Sequence, residues 1–359
     1  SGLGYIVEVA PDGASALDRL HKEIFDLVLL DTLMPGLDGY AVLKAMKTDP
    51  SLRELPVIMI AGLDDLDSVA RCIDLGAEDY LPKPFKAVLL QARIHSSLEK
   101  QRLREKERST FLALQESQSQ LAAELAEASS YVQSLLPERL TGAVSVDWRF
   151  IPSTSLGGDS FGYHWLDERH FALYLLDVCG HGVGAALLSI SAMNVLRSNS
   201  LAGVDFKDPG QVLCGLNESF QMDRHNNMYF TIWYGVFDKE TRQMAFARGG
   251  HPPAVLVAPD GTVTRLQVPG MVIGSMPGVK YRSASEHVPV GARLYLFSDG
   301  VYEIKRPDGS MWEYDEFERL LVPEPVSGGV LLDQLQEESR RQQGGGTFED
   351  DFSMVEFRL

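Results

Sequence analysis

Four aspartates beyond residue 150 of this 359-residue chain share one setting. Asp159 follows Gly157-Gly158, Asp177 ends the apolar run FALYLLD, Asp299 lies between ARLYLFS and Gly300, and Asp350, with Asp351 beside it, precedes FSMVEFRL. Each stands at the end of an extended segment, next to small residues that let the backbone approach closely. Taken singly, any of them reads as a turn or cap residue. Gathered by folding, they would repel and raise one another's pKa values, and a divalent cation removes that penalty. Oxygen-only ligands select Mg2+ or Mn2+ over zinc. Two such ions bridged by water would generate hydroxide for in-line attack on a phosphoryl group, without a Cys or Ser nucleophile.

A fifth aspartate implies different chemistry. Asp31 closes FDLVLL, at the strand end where α/β sheets place ligand sites, and the Pro- and Gly-rich turn TLMPGLDGY follows. Lys83 comes after DYL and before Pro84, an X-Pro bond open to the cis form. A carboxylate and an ammonium at neighbouring strand ends suit a phosphorylatable aspartate whose charge a lysine holds. The plainer reading is an N-cap aspartate and a surface lysine. His181, between Gly180 and Gly182, is a candidate for orienting a phosphate or water, but reads first as a structural hydrogen-bonder at a tight turn; His251 in GGHPP reads as structural too. Cys179 is no nucleophile candidate, since nothing lowers its pKa and nearby carboxylates would raise it.

The elements that must position these residues fall into three stretches. Residues 1–95 alternate short β-type runs (YIVEV, FDLVLLD, LPVIMIAG, EDYL) with helical patterns, the alternation of a parallel sheet wrapped by helices. From Lys86 to Leu136 strong helix formers dominate. Phe111, Leu114, Gln118, Leu121, Leu125, Ala128, Val132 and Leu135 recur at intervals of 3,4,3,4,3,4,3, a heptad seam that predicts a parallel, dimerising coiled coil over a helix packed on its own domains. Beyond Pro137 come short strands, helices near 183–201, 209–222, 315–321 and 329–342, and a hairpin turn at PDG: a mostly antiparallel α+β domain. QQGGGTFEDD reads as a flexible glycine loop before the last strand. The expected division is 1–95, a linker at 96–136 and 137–359.

Over the first 95 positions the text FDLVLLDTLMPGLDGY, PVIMIAG, LGAEDYLPKP and GYIVEVAPDGASALDRL resembles the response-regulator receiver domain, a doubly wound flavodoxin-like fold. The resemblance implies that Asp31 is the phosphoacceptor, Lys83 the phosphate-binding lysine and Tyr80 the switch aromatic. Ala61 stands where the family carries Thr or Ser, so the hydroxyl that tracks the phosphoryl group is missing. The family's first strand, with its acidic Mg2+ ligands, would precede GYIVEV; the expectation is a truncated start, with receiver Mg2+ depending on an acidic pair outside this sequence.

Residues 130–359 resemble the metal-dependent PPM-type serine/threonine phosphatases of the SpoIIE/RsbU branch, through SLLPERL, GGDSFG, DVCGHGVGAALLS, GGHPPAVL, FSDGVYE and EDDFSMV. This implies a β-sandwich flanked by helices, with Asp159, Asp177, Asp299 and Asp350 and the backbone carbonyl of Val178 holding two Mn2+ or Mg2+ ions. Asp351 is the alternative at the last position. Gly162 replaces a frequent second aspartate, Cys179 a frequent Ser, Tyr302 a frequent Thr and Ser353 a usual Thr. The whole chain then reads as a multidomain α/β plus α+β protein.

The implied function is a phosphatase controlled by phosphorylation of Asp31, from a histidine kinase or small phosphodonor, acting on a phosphoserine STAS-type anti-sigma antagonist. The alternative is a non-catalytic adaptor of RssB-like layout, presenting the sigma-S factor for proteolysis. A net charge of −17 argues against nucleic acid, which needs clustered Lys and Arg. No apolar run approaches the ~18 residues of a membrane span. Three distant cysteines form neither a disulfide framework nor a metal knuckle, and a cytoplasmic setting is expected.

Overall fold

The computed structural model describes residues 4–62, 66–153, 155–322 and 331–359. The chain divides into two compact units, Ser1–Gln120 and Leu121–Leu359.

In the first unit the order is α1 (Gly13–Lys22), β1 (Val28–Asp31), α2 (Gly39–Thr48), β2 (Val57–Gly62), α3 (Leu66–Asp74), β3 (Asp79–Lys83) and the start of α4 (Ala87–Ser134). The three strands form a parallel sheet in the order β1-β2-β3. Helix starts are written locally: Asp12 caps α1 by accepting from Ser15 N at 2.8 Å, and Asp38 caps α2 from Ala41 N at 2.8 Å. Gly39 lets α2 begin against the strand that ends in Asp31, because a Cβ there would lie 2.1 Å from the Asp31 carbonyl oxygen. Leu30, Val42, Leu43, Met46, Val57 and Met59 build the core.

The expected strand YIVEV does not form. Among the described residues it pairs with no strand, and Ile6, Val7 and Val9 are 98%, 62% and 75% exposed.

The expected helix from Lys86 to Leu136 is one continuous 48-residue α4, so the anticipated boundary at residue 95 falls inside a helix. On its seam Phe111, Leu114 and Leu121 are 66%, 56% and 57% exposed. Among the described residues no helix is long and apolar enough to cross a membrane.

The second unit is a sandwich of two five-stranded antiparallel sheets. Its elements are β4 (Ser145–Ile151), β5 (Ser160–Trp165), β6 (His170–Val178), α5 (Val183–Arg197), α6 (Pro209–Ser219), β7 (Phe230–Asp238), β8 (Gln243–Gly249), β9 (Ala254–Val257), β10 (Val263–Leu266), β11 (Ala284–His287), β12 (Arg293–Phe297), β13 (Ile304–Lys305), β14 (Met311–Trp312), α7 (Tyr314–Glu318), α8 (Leu331–Gln342) and β15 (Phe352–Arg358). The sheets run β10-β9-β12-β15-β4 and β11-β8-β7-β6-β5, with a separate β13-β14 hairpin. The expected strands and helices are present with slightly shorter ends; β5, β11 and the β13-β14 hairpin were not anticipated. The anticipated helix near 329–342 is seen from Leu331, its first two positions lying outside the described residues.

Strand β6 explains how one segment can be apolar throughout. Phe171, Leu173 and Leu175 enter the core between the sheets, while Ala172, Tyr174, Leu176 and Val178 pack in the cluster that includes α5 and α6. A period of two thus buries both faces. Each fully buried Leu or Phe contributes about 1.5–3 kcal/mol.

Candidate active site

The alternation of β6 also decides where Asp177 goes. It continues the row Phe171, Leu173, Leu175, which faces the sandwich interior, and it emerges where that row runs out. Asp159 precedes β5, whose Ser160 pairs with Leu176, so the two carboxylates stand side by side. From the other sheet, Asp299 follows β12, and Asp350 and Asp351 precede β15; β12 and β15 are paired through Phe297 and Met354. Each sheet therefore delivers carboxylates to the same end of the sandwich.

Asp159 is buried at 3% exposure, and neither of its carboxylate oxygens makes a hydrogen bond of normal geometry, though the Ser353 and Ser298 hydroxyls lie close enough to favour its charged form a little. Burial first, then the charges of Asp177 and Asp351, push its pKa well above the usual carboxylate range. Burial, then Asp299 and Asp350, raise Asp177 to about 7. Asp299 rises to about 6 through burial, then Asp350 and Glu303. The buried hydroxyl of Thr231, the residue opposite Asp177 on β7, makes no hydrogen bond of normal geometry, and that of Ser353 reaches only towards Asp159.

Orphaned, buried, mutually repelling oxygens of this kind fit divalent cations, and the donor set is all oxygen. The Val178 carbonyl faces the same turn: a Cβ on Gly158 would meet it at 2.7 Å. Among the described residues no three His, Cys, Asp or Glu side chains converge closely enough to hold an ion.

The adjacent pair Asp350 and Asp351 divides its tasks. Asp351 is buried and its carboxylate is saturated: one oxygen accepts from Ser153 N at 2.8 Å and Ser153 Oγ at 3.0 Å, the other from Gly158 N at 2.6 Å and Asp159 N at 3.3 Å. It ties the Gly157-Gly158 turn down, and a Cβ on Gly157 would sit 2.4 Å from it. Asp350 is exposed and faces Asp177 and Asp299 electrostatically. Its carboxylate oxygen accepts only the Asp351 N–H, at 2.8 Å, among the bonds of the described residues.

The residues that depart from the family text also find reasons. Gly162 lies opposite Tyr174, whose hydroxyl would be 2.3 Å from a Cβ, so an aspartate at 162 has no room. Tyr302 is buried among Phe297, Tyr314 and Phe317. Cys179 Sγ accepts from Tyr229 N at 3.2 Å.

The histidines separate. The expected structural hydrogen bond of His181 is not made: the ring is exposed and has no protein partner among the described residues. Gly180 and Gly182, at φ +85° and +88°, swing it outward while Gly182 N bonds Leu156 O at 3.0 Å. His251 is the structural one, 1% exposed with Nδ1 3.0 Å from Pro252 O. Burial, with a smaller contribution from Arg248, lowers its pKa from 6.5 to about 4.

Because the unfolded chain binds a proton at His251 that the folded chain refuses, its contribution to stability is complete above about pH 6.5 and is lost as pH falls towards 4. The buried aspartates, with raised pKa values, act in the opposite direction, so the test is comparative. Denaturant midpoints at pH 7 and pH 5 are expected to fall more for the wild type than for His251→Gln, by on the order of 1–2 kcal/mol. The His251 ring proton resonances should stay those of neutral imidazole at pH 5.5. A ring that titrates near 6.5 in the folded protein would refute this.

In the receiver unit the structure joins Asp31 and Lys83 through a salt bridge from Nζ to Oδ2, and Leu33 N donates to Asp31 Oδ1 at 3.2 Å. The Lys83–Pro84 bond is cis. Ala61 is buried at 4% exposure, and Tyr80 is held by donating its hydroxyl to Gly62 O at 3.2 Å.

Reading the sequence missed Ser153, Thr231 and Ser298, which carry no local signal. Ser298 Oγ donates to Asp351 O at 3.0 Å and supports the same turn. Glu303 was visible within FSDGVYE, one helical turn from Asp299, but its carboxylate was not counted.

The family model for stage II sporulation protein E (SpoIIE) matches residues 167–359, and the response regulator receiver domain model matches residues 2–95. The phosphoserine phosphatase RsbP of Bacillus subtilis (strain 168) is 28% identical over 183 residues, which cover 51% of this chain and 45% of RsbP, so the chain spans less than half of that relative. The phosphoserine phosphatase RsbU of the same strain is 26% identical over 250 residues, 67% of this chain and 71% of RsbU. Among solved structures, the SiaA-PP2C domain of Pseudomonas aeruginosa superposes with a TM-score of 0.58 at 21% identity, covering 68% of this chain and 98% of that domain. That likeness establishes a PP2C-type fold for the sandwich.

Proposed function

From the premise that the chain belongs to the stage II sporulation protein E (SpoIIE) family and carries a receiver domain ahead of that homology, we propose that it is a response regulator whose output is metal-dependent hydrolysis of a phosphoserine or phosphothreonine in a protein. The observation that carries the reading is the buried Asp159 carboxylate, neither oxygen in a hydrogen bond of normal geometry, set beside the like charge of Asp177 at the joint end of two sheets.

Asp159, Asp177, Asp299, Asp350 and the Val178 carbonyl would hold two Mn2+ or Mg2+ ions. Those ions supply charge neutralisation and an activated water for attack at phosphorus. The chain's own part is placement. Asp351 fixes the turn that carries Asp159, and Gly158 lets Val178 O approach. The paired strands of the sandwich fix the chain ends from which these carboxylates project.

Asp31 is the proposed phosphoacceptor and Lys83 its counter-charge, with a histidine kinase or small phosphodonor as source and Mg2+ where an acidic pair completes the receiver site. Ala61 offers no hydroxyl to the phosphoryl group, which leaves Tyr80, bonded to Gly62 O, as the residue that would report the switch. Phosphorylation would act through α4, whose exposed heptad seam we read as the dimer interface with a second copy. The substrate class favoured by the relatives' names is a phosphoserine protein, and a STAS-type anti-sigma antagonist in a sigma-factor stress response is the specific proposal.

The test is Mn2+-dependent release of phosphate from a phosphoserine peptide by the full chain, with and without EDTA. Turnover that EDTA abolishes, and whose rate changes after acetyl phosphate treatment of wild type but not of Asp31→Ala, is expected. Absence of turnover under all these conditions would favour the RssB-like adaptor, in which the same domain serves as a docking surface for a sigma factor.

A further inference from the structure

Beside the carboxylates a cleft of about 260 Å3 opens, lined by Gly300, Glu303, Lys305, Gln343, Glu349 and Asp350 among others. One wall is the β13-β14 hairpin, which leaves the turn at Asp299–Val301. The other is the segment from Gln343 to Asp350. Here the expected flexible glycine loop is a folded turn: Gly344, Gly345 and Gly346 hold φ of +87°, +93° and +90°, and Gly345 N bonds Arg340 O at 3.0 Å. The walls meet where Gly344 lies on Pro307, whose Cγ would be 2.7 Å from a Cβ.

Among the described residues Lys305 is the one cation lining this cleft, and its ammonium makes no ion pair with any of them. The neighbouring arginines are engaged elsewhere. Arg306 bonds Glu316 at 2.8 Å and Gln342 at 2.6 Å, Arg341 bonds Glu338 at 2.7 Å, and Arg340 lies over the Phe348 ring at 5.5 Å. Around the cleft and the site stand the carboxylates of Asp159, Asp177, Asp299, Asp350, Glu303 and Glu349. Two divalent ions would leave that set net negative, and a phosphate monoester arrives as a dianion. Long-range repulsion of the substrate must then be offset by a cation of the protein, at the edge where the substrate enters. A lysine suits the task, as a compact charge on a flexible stem that can follow a phosphoryl group.

We propose that Lys305 receives the non-bridging phosphoryl oxygens of the phosphate monoester and is the substrate-binding cation of this site. The inference rests on the phosphatase reading above for its substrate, but phosphate binding can be measured without turnover. The full chain loaded with Mn2+ is compared as wild type, Lys305→Met and Lys305→Arg, by calorimetric titration with inorganic phosphate and by kinetics on p-nitrophenyl phosphate.

Lys305→Met should weaken phosphate binding and raise KM about tenfold each, the loss of one charged hydrogen bond. Its kcat should stay within about twofold, as expected for an interaction made equally in the ground and transition states. Lys305→Arg should restore most of the affinity, and the exposed position should leave the melting temperature unchanged. Phosphate binding with no hydrolysis by the wild type, still weakened by Lys305→Met, would sink the phosphatase reading and leave this inference standing. Unchanged phosphate affinity in Lys305→Met overturns it, including the case where KM rises only for a phosphopeptide, which would assign Lys305 to the peptide. A wild type that binds no phosphate overturns it as well.

Discussion

Replacing Asp177 by Asn is expected to lower Mn2+-dependent hydrolysis by on the order of 10^3-fold while making the metal-free protein more stable. The two effects share one cause. Asp177 is pushed up to about 7 by burial and by Asp299 and Asp350, so in the metal-free fold above that pH a charge is held against its neighbours. The folded state binds a proton more tightly than the unfolded chain here. This group's destabilisation therefore grows as pH rises from about 4 towards 7 and is complete above it. Asparagine removes the charge and keeps the shape. At pH 8 without metal the variant should gain about 1–3 kcal/mol, discounted for the part of the side chain that solvent reaches. Added Mn2+ should raise the wild-type melting temperature through binding linkage and should raise that of the variant far less. Thermal unfolding with and without Mn2+, beside an activity assay, reads both halves. A variant that is less stable without metal, or that keeps wild-type turnover, would remove Asp177 from the proposed site.

The second large effect separates two adjacent aspartates. Asp351→Ala should cost about 3–5 kcal/mol, because it deletes a buried carboxylate and strands the N–H groups of Gly158, Asp159 and Ser153 and the Ser153 hydroxyl. Asp350→Ala touches an exposed residue and should shift stability by no more than about 0.5 kcal/mol. Its hydrolysis should nevertheless fall by on the order of 10^2–10^3-fold, since it removes a proposed ion ligand. Chemical denaturation of the metal-free proteins, set against their activity with Mn2+, gives a crossed pattern. The reverse pattern, with a stable, inactive Asp351→Ala and an active Asp350→Ala, would exchange the two assignments.

Much of this site is legible in residue order because strand-end carboxylates beside glycines leave a mark. Asp159, Asp177, Asp299 and Asp350 were all identifiable from the apolar runs they close or precede, and Asp31 and Lys83 in the same way. The choice between Asp350 and Asp351 was weaker. Adjacent residues on a strand entry point to opposite sides, and only the partners on each side tell a ligand from a clasp. His181 was misjudged, since its two positive-φ glycines could equally fold the ring in or hold it out. Lys305 was invisible, because an exposed lysine on a short hairpin resembles any other until the arginines around it are seen to be paired.

What the sequence alone determined is periodicity and punctuation: a parallel α/β unit, a helix without breakers, a strand-rich unit, and the chemistry of the aspartates that end its strands. These are local properties, set by backbone sterics and by which face of each element is apolar. The tertiary structure alone decided what those residues do to one another. That YIVEV pairs with no strand is seen only in the fold. Asp351 is a clasp because Ser153 and Gly158 reach it from across nearly 200 residues of chain. The raised pKa of Asp177 arises from carboxylates that a second sheet carries to it. Electrostatic energy and hydrogen-bond satisfaction depend on distance in space, and only the packing of one sheet on another sets that distance.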